Sequence, residues 1–579
     1  MASDYTFFFV MLSFCGIMLL VTFVYVLRRA FARDAGEIGG WELRGAWGRV
    51  TAVARITLAE GIRTKIAAGF TGLVLIAIPL FLVICTGDGT ISGEVKMFLA
   101  YSLGFASFWL ALLTIFFSCR SLSMEVAQRQ IYGVVSKPIP RWQILVGKWT
   151  GVMILNVSLL AVVCLATYGG HRYKLWRFKA DLAHELHTFG GLTPADANAA
   201  VAALDSVEGK GVKGQGSPVV STLAKALGQT NDQISEKLLM LPEATRVNLR
   251  RFDELRRQVL TARATLTPPE IPDLPDLVDE QYAAMEKESR LPAGWTVRET
   301  KLRIKAAIKA SYMTVPFRMG RTWTMKGGPP PSEERDFLMS VRFKIRPSSY
   351  LDSVSEFDLE RDTLLAEWGV GNPTPDPPPY FSLLAAHPVN TFNEFEIETE
   401  SVAEDGAVIL SFMNIDPRRV SAAFDFPFGL QVLYRVGSFE MNVFQVYLAI
   451  LIPLACLGAV GVCASTFLSF PVGSLIVIVI YIISLCIGFV AESLGITEDY
   501  YDPEHITWAI QLRQGIVNSM DWAFAIGDCE PVTNLIEGRA IGWSRLWTLT
   551  WKFVLLKGLL TLTLAVMIFR RRELAAVTV

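Results

Sequence analysis

The sequence predicts an α-helical polytopic membrane protein of about seven spans, with an α+β extracytoplasmic domain inserted after the fourth. Three observations predict it. Long stretches near both ends carry no charge, while the middle of the chain has ordinary soluble composition. Those stretches are long enough to cross a bilayer, which takes about 20 apolar residues. The short links between them concentrate arginine and lysine on one side. Bulk composition agrees: 52% of residues are hydrophobic and 19% charged, against about 25% charged in a soluble protein.

The predicted spans run over residues 6–27, Ile66–Ile84, 97–117, 149–168, 443–465, 473–491 and 549–569, and the first six contain no Asp, Glu, Lys or Arg. Pro79 and Pro453 lie inside spans, which lipid-embedded helices tolerate. The first stretch reads as an uncleaved anchor, because its leading residues carry Asp4 and no cation and Arg28-Arg29 follow it directly. The link to the second span holds Arg28, Arg29, Arg33, Arg44, Arg49, Arg55, Arg63 and Lys65. The link from the third to the fourth holds Arg120, Arg129, Lys137, Arg141 and Lys148, and the tail holds Arg570, Arg571 and Arg572. All three fall on one side of a seven-span count, which the positive-inside rule makes cytoplasmic. The expected location is therefore the cell (inner, cytoplasmic) membrane. The N-terminus and residues 169–440 lie outside, and the C-terminus lies in the cytoplasm.

The expected organisation follows. Residues 1–40 form an extra span with its basic link. Residues 41–168 hold a further interfacial helix and three spans. Residues 169–440 form the extracytoplasmic domain, and 441–579 the last three spans with an outer segment at 492–548. Within the extracytoplasmic domain, residues 170–311 read as helical. Leu223, Leu227, Ile234 and Leu238 recur at helical spacing, as do Leu249, Phe252, Leu255 and Val259. Residues 312–440 read as β-rich, with strands expected at 342–345 and 392–399. Prolines at 268–275, 329–331 and 375–379 mark breaks and loops. The eight cysteines avoid this domain, so it is expected to fold without disulfides; a Cys85–Cys529 bridge is the one conceivable exception. His184 and His187 stand one helical turn apart, but no third ligand is evident, and ordinary surface histidines are the commoner outcome.

The link between the third and fourth spans carries the most local information. Glu125, Arg129, Gln130 and Tyr132 belong to a short helix that Pro138 and Pro140 must stop, since proline lacks an N–H and disfavours helix in its predecessor. Arg141 opens the next helix, which runs on through Gly147-Lys148 into the span. A short stiff helix held under a bilayer can dock in a groove of a partner; the plainer reading is a basic anchor that fixes topology. Ahead of the second span, Leu43, Trp47, Val50, Ala54 and Leu58 recur at helical spacing among arginines, as in an interfacial helix.

These features resemble type-2 ABC exporter permeases. The matching positions are Glu125, then Ser136-Lys137-Pro138-Ile139-Pro140-Arg141, then Gly147-Lys148, with Arg129-Gln130 standing where the family has Gly-Thr. The resemblance extends to an elbow helix at 41–65 (Trp41, Trp47, Arg55), to the short link at 464–471 and to the Arg570–Leu574 tail. It covers about half the chain. It implies a six-span permease core to which the first span is extra and the outer domain an insertion. It implies a coupling loop at 119–148 whose Glu125, Arg129, Gln130, Tyr132, Lys137, Pro138, Pro140 and Arg141 contact a separate ATPase subunit. Two ATPase copies and a second permease subunit, identical or not, are the implied partners beside the lipid bilayer.

No GxxxxGK[ST] P-loop and no catalytic constellation occurs, so the expectation is a non-enzymatic subunit without cofactor, metal or catalytic residues. A formal net charge of −1 offers nucleic acid nothing. Spans without ionisable residues weigh against an ion-coupled carrier. Lys557, about 8 Å deeper in the last span than Lys552, is the intramembrane charge; snorkelling is the common fate of such a lysine, and a functional role the sharper one. The rival reading is a non-transporting scaffold or mechanotransmission protein whose outer domain binds cell-envelope partners.

Overall fold

The computed structural model describes residues 42–63, 65–85, 90–129, 139–206, 223–224, 226–269, 271, 273–288, 297–329, 339–348, 363–371, 381–397, 402–403, 405–418, 420–424, 429–493 and 530–571. The fold is mostly helical with a separate β domain. The membrane part comprises α1 (Glu42–Arg63), α2 (Ile66–Ile84), α3 (Ile91–Ala127), α4 (Arg141–Gly190), α10 (Phe439–Ser465), α11 (Phe470–Ser493) and α13 (Trp543–Arg571), the last preceded by the short α12 (Pro531–Ile536). Four of these, α3, α4, α10 and α13, are long and apolar enough to cross a membrane; the bent pair α1–α2 is a fifth if it counts as one span, and α11 is apolar over the shorter stretch Phe470–Cys486. The chain is thus membrane-embedded, while the first predicted span lies outside the described residues.

Paired side chains give the helix directions. Down the α3–α4 seam, Glu94 meets Lys174, Thr114 meets Asn156 and Glu125 meets Lys148. Between α4 and α10, Trp149 donates to the Ala455 carbonyl and Thr167 meets Tyr447. Both pairs of helices are therefore antiparallel. In lipid, where apolar side chains gain little by associating, such bonds and close packing hold helices together. The end bearing Glu125, Arg141 and Arg570 is called basal below, and the other end distal.

α4 does not stop at the distal end. It runs 50 residues, about 75 Å at 1.5 Å per residue. Its last turns, through Leu175, Leu182 and Leu186, form the spine of the helical part of the inserted domain. Against this spine pack α5 (Pro194–Ser206), α6 (Asn231–Met240) and α7 (Glu243–Glu254), whose helix continues as a wider turn over Leu255–Val259. The predicted stripe Leu249, Phe252, Leu255 and Val259 is buried here, with Phe252 stacked on Phe178 at 5.7 Å. α8 (Leu274–Lys287) and α9 (Val297–Met313) follow. Thr230 caps α6 through a capping box.

The β domain is two antiparallel sheets. One has the order β1-β10-β4-β9-β2, with β7 also paired to β4; the other is β3-β8-β5-β6. The strands are β1 (Thr261–Leu266), β2 (Thr314–Val315), β3 (Gly320–Met325), β4 (Met339–Ser348), β5 (Thr363–Val370), β6 (Phe381–Pro388), β7 (Phe392–Ile397), β8 (Val408–Asn414), β9 (Ser421–Phe424) and β10 (Leu430–Ser438). Alternation sends one set of side chains inward from each sheet. Phe343 and Phe424 of the first sheet meet Trp368, Phe412 and Trp323 of the second, with ring centroids 4.5–5.9 Å apart. The strands expected at 342–345 and 392–399 are β4 and β7. β1, however, lies inside the stretch expected to be helical, because its partner β10 is far away in sequence.

Asp416, buried between β8 and β9, gives the sandwich an acid dependence. Burial alone pushes its carboxyl up. The Arg418 side chain and the N–H groups of Leu365 and Arg418 all donate to it, and the net effect holds it below its ordinary 3.8. A carboxyl held low stabilises fully above its unfolded value and loses that contribution as pH falls through the folded one. Burial likewise pushes the His387 imidazole below 6.5, so protonating it costs stability in a higher window, starting as pH drops under 6.5. Melting of the β signal should therefore weaken in two acid steps, and Asp416→Asn should shrink the lower step while sparing the upper. An unchanged lower step in that variant would refute the assignment.

Candidate functional site

The basal end is where the sequence placed its coupling loop, and the loop's two described flanks are both braced inside the protein. α3 ends at Ala127, and Arg129 takes a left-handed conformation (φ 58°), the turn that commonly follows a helix C-terminus. Two residues before that end, Glu125 pairs with Lys148 of α4 at 2.8 Å. Lys148 is 2% exposed and also donates to the Ser121 carbonyl. An unpaired ammonium could not be held at such a depth, so the pair fixes the register of α3 against α4. Glu60 of α1 lies near enough to feel Lys148, Glu125 and Arg120.

Across the loop, Pro140 precedes α4 and Arg141 is its first residue. A cation at a helix N-terminus opposes the helix dipole. The guanidinium turns away and donates to the Phe569 and Arg570 carbonyls at the C-terminus of α13, lying over the Phe569 ring at 5.6 Å. There the same charge is favourable, because the last carbonyls of a helix have no partner in the helix. Arg141 is thus an internal clamp between α4 and α13. Arg129 and Pro140 are exposed, on either side of the loop. Gln130, Tyr132, Lys137 and Pro138 lie outside the described residues.

α1 lies against the start of α4. Val50, Val53, Ala54 and Thr57 are buried there, and Arg49 donates to Gln143 at 2.7 Å. The close approach is made possible by two glycines one turn apart, Gly147 and Gly151. A Cβ on Gly147 would come within 2.9 Å of the Val50 carbonyl, and one on Gly151 within 2.8 Å of the Ala54 carbonyl. This small-xxx-small pattern lets helix backbones touch. Gly147 entered the sequence motif, but the pairing with Gly151 was legible and missed. Trp47, expected on the apolar stripe, is 64% exposed and faces away from α4, as is Arg55. An amphipathic ring at that position suits a membrane–water interface. Trp41 lies outside the described residues.

Lys557 does not snorkel. It is 6% exposed, held between α13 and α10 with its ammonium over the Phe553 ring at 4.6 Å. The helix is wider over Trp551–Gly558, and Lys557 falls inside that stretch. Lys552, by contrast, is only partly buried. His184 and His187 do not meet a third ligand: His187 bonds the Leu192 carbonyl, and no metal-binding group of three occurs among the described residues. Cys85 is a free, buried thiol. The outer stretch 494–529, including Cys529, lies outside the described residues. Comparison with known protein families, with curated proteins and with solved structures finds no match.

Proposed function

We propose that the chain is the membrane-spanning permease subunit of an ABC transporter, an exporter whose ATP hydrolysis resides in a separate ATPase subunit bound in two copies. A second permease subunit completes the assembly. The basal end is cytoplasmic, the inserted domain extracytoplasmic, and the membrane the cell's inner one. One observation carries the reading. The residues that resemble a coupling loop flank a segment whose two ends are tied, by Glu125–Lys148 and by Arg141 on α13, to three membrane helices at once. A push on that segment would move α3, α4 and α13 together, as ATP-driven alternation of access requires. α1, packed on the same stretch of α4, would move with them.

A second reading, a mechanotransmission protein that moves no substrate across the bilayer, is favoured by the unbroken run of α4 from the basal end into the inserted domain. Both readings need the ATPase, and only the first needs transport.

The test replaces Lys137 by Glu, and separately Pro138 and Pro140 by Gly, leaving Arg141 in place because its clamp on α13 would confuse the outcome. Charge reversal sets like charges against an acidic groove, and loosening the turn raises the entropy cost of docking. Both variants should insert normally and lose ATPase co-purification by roughly tenfold or more, which a change of about 1.4 kcal/mol suffices to produce. Arg250→Glu, on the exposed face of α7, should keep the ATPase bound. Retention by all three variants would reduce the loop to a topological anchor. Transport into vesicles then separates the two readings.

A further inference from the structure

The distal end holds a joint that neither reading uses. It gathers strand β1, strands β4, β7 and β10 of the same sheet, the first turn of α10, and residues 537–541 just ahead of α13. The backbone of Arg263 in β1 donates to the Gly538 carbonyl at 2.8 Å and accepts from the Ala540 N–H at 2.9 Å. Residues 538–540 therefore extend the sheet by one short parallel bridge. The Arg263 side chain is almost wholly buried. It pairs with Glu394 of β7 and donates to the Ser340 hydroxyl of β4 and to the Glu537 carbonyl. Glu537 in turn pairs with Arg342 of β4 at 3.3 Å and with Arg539 at 2.9 Å, and Arg539 donates to Gln431 of β10.

The helices are tied to the same residues. β10 passes into α10 with no linker, Ser438 being both the end of the strand and the cap of the helix. Asn442, fully buried in the first turn of α10, donates to the Arg539 carbonyl at 2.9 Å and accepts from the Ile541 N–H at 3.2 Å. Trp543 opens α13 two residues later. Gly538 (φ 66°) makes the approach possible, since a Cβ there would sit 2.1 Å from the Gln258 carbonyl. Beside the direct passage of β10 into α10, residues 537–541 thus bond both the sheet and the first turn of α10.

We propose that residues 537–541 are a latch that makes the first sheet of the inserted domain and the distal ends of α10 and α13 move as one rigid unit, with Arg263 and Asn442 as its two bolts. The arrangement follows from burial. Charges removed from water must be matched by partners in fixed geometry, and displacing the sheet alone would take Arg263 from the Glu537 carbonyl, Arg342 from the Glu537 carboxylate and Gln431 from Arg539. Displacing α10 alone would strand both ends of the Asn442 amide. A tilt of either helix is therefore delivered to the sheet, and a load on the sheet to both helices. The latch stands whether or not an ATPase drives the motion.

Hydrogen exchange on the full-length protein in lipid nanodiscs tests this. In Arg263→Ala, exchange at 430–445 and at 537–546 should rise together, by about tenfold or more, because local opening is cooperative within such a unit. The basal stretch 141–151 should not change. The swap of Arg263→Glu with Glu394→Arg should recover part of the protection. Asn442→Leu removes only the helix bolt and leaves the sheet intact, so it guards against misfolding of the first variant. It should raise exchange at 537–541 and the start of α10 while β4 and β10 stay protected. If Arg263→Ala loosens β1 and β7 alone, or if Asn442→Leu leaves 537–541 as protected as before, the sheet and helices are not latched.

Discussion

Replacing Lys148 by Met in the full-length protein should cost about 3–5 kcal/mol, the range for breaking a buried ion pair by removing one partner. The substitution keeps most of the side-chain volume and removes only the ammonium. Glu125, 16% exposed, then faces a helix seam with no counter-charge, and the Ser121 carbonyl loses its donor. Removing Glu125 as well should recover much of the loss, because a buried pair replaced by apolar groups of similar shape is often close to neutral. Equilibrium unfolding in mixed micelles measures the single and double variants. Lys148→Met together with Glu125→Leu should be more stable than Lys148→Met alone. A single variant that loses less than about 1 kcal/mol would place the pair with surface salt bridges, which contribute little, and the basal brace would lose its main tie. The result also bears on function: with the basal end of α3 no longer tied to α4 by this pair, a push on the loop between them is passed less directly to both helices.

The apolar helices were legible because their signal is length and the absence of charge, although among the described residues four of them, or five with the bent pair α1–α2, are long and apolar enough to cross a membrane, against the seven expected. The second span was expected at Ile66–Ile84, and α2 has those ends, since Lys65 and the polar residues after Cys85 bound the apolar run. The stripe at Leu249, Phe252, Leu255 and Val259 was legible because helical spacing needs no knowledge of what lies opposite. β1 was not. Its Thr-Ala-Arg-Ala-Thr-Leu has weak alternation, and its register is set by β10, which arrives only after the rest of the domain. The same limit hid the distal joint: Arg263, Glu394, Glu537 and Asn442 are unremarkable in sequence, and only long-range folding brings them together. At the basal end, residue types drew attention to Glu125 and Arg141 but did not show their partners within the chain. Glu125 and Arg141 stood out as charges facing outward, whereas both spend their charge on Lys148 and on the carbonyls of α13. Trp47 shows a different limit. Period alone puts it with Val50 and Ala54, but near a bilayer both faces of a helix can be apolar, one for protein and one for lipid, so period does not say which is which.

The glycines of α4 provide the other large effect, and there two forces of opposite sign can be separated. In a helix, Gly→Ala ordinarily stabilises by up to about 1 kcal/mol, because alanine loses less backbone entropy. Gly72 and Gly104 have open space where a Cβ would go, so Gly72→Ala and Gly104→Ala should be neutral or slightly stabilising. At Gly147 and Gly151 the added methyl meets backbone carbonyls of α1 at 2.9 and 2.8 Å, and a carbonyl inside a helix cannot swing aside as a side chain can. Overpacking of this kind costs about 1–3 kcal/mol per site, more than the propensity gain, so the sign should reverse. Gly147→Ala and Gly151→Ala should each destabilise, and the double variant should push α1 off α4 and break the Arg49–Gln143 bond. Unfolding in mixed micelles gives the energies. Hydrogen exchange over Glu42–Arg63 reports whether α1 has let go, and rapid exchange there with α3 and α10 still protected is the expected pattern. Two neutral substitutions at these positions would mean that α1 does not pack closely on α4 in the membrane. In that case the elbow helix could not follow α4, and any force entering at the loop would reach the bundle through Lys148 and Arg141 alone.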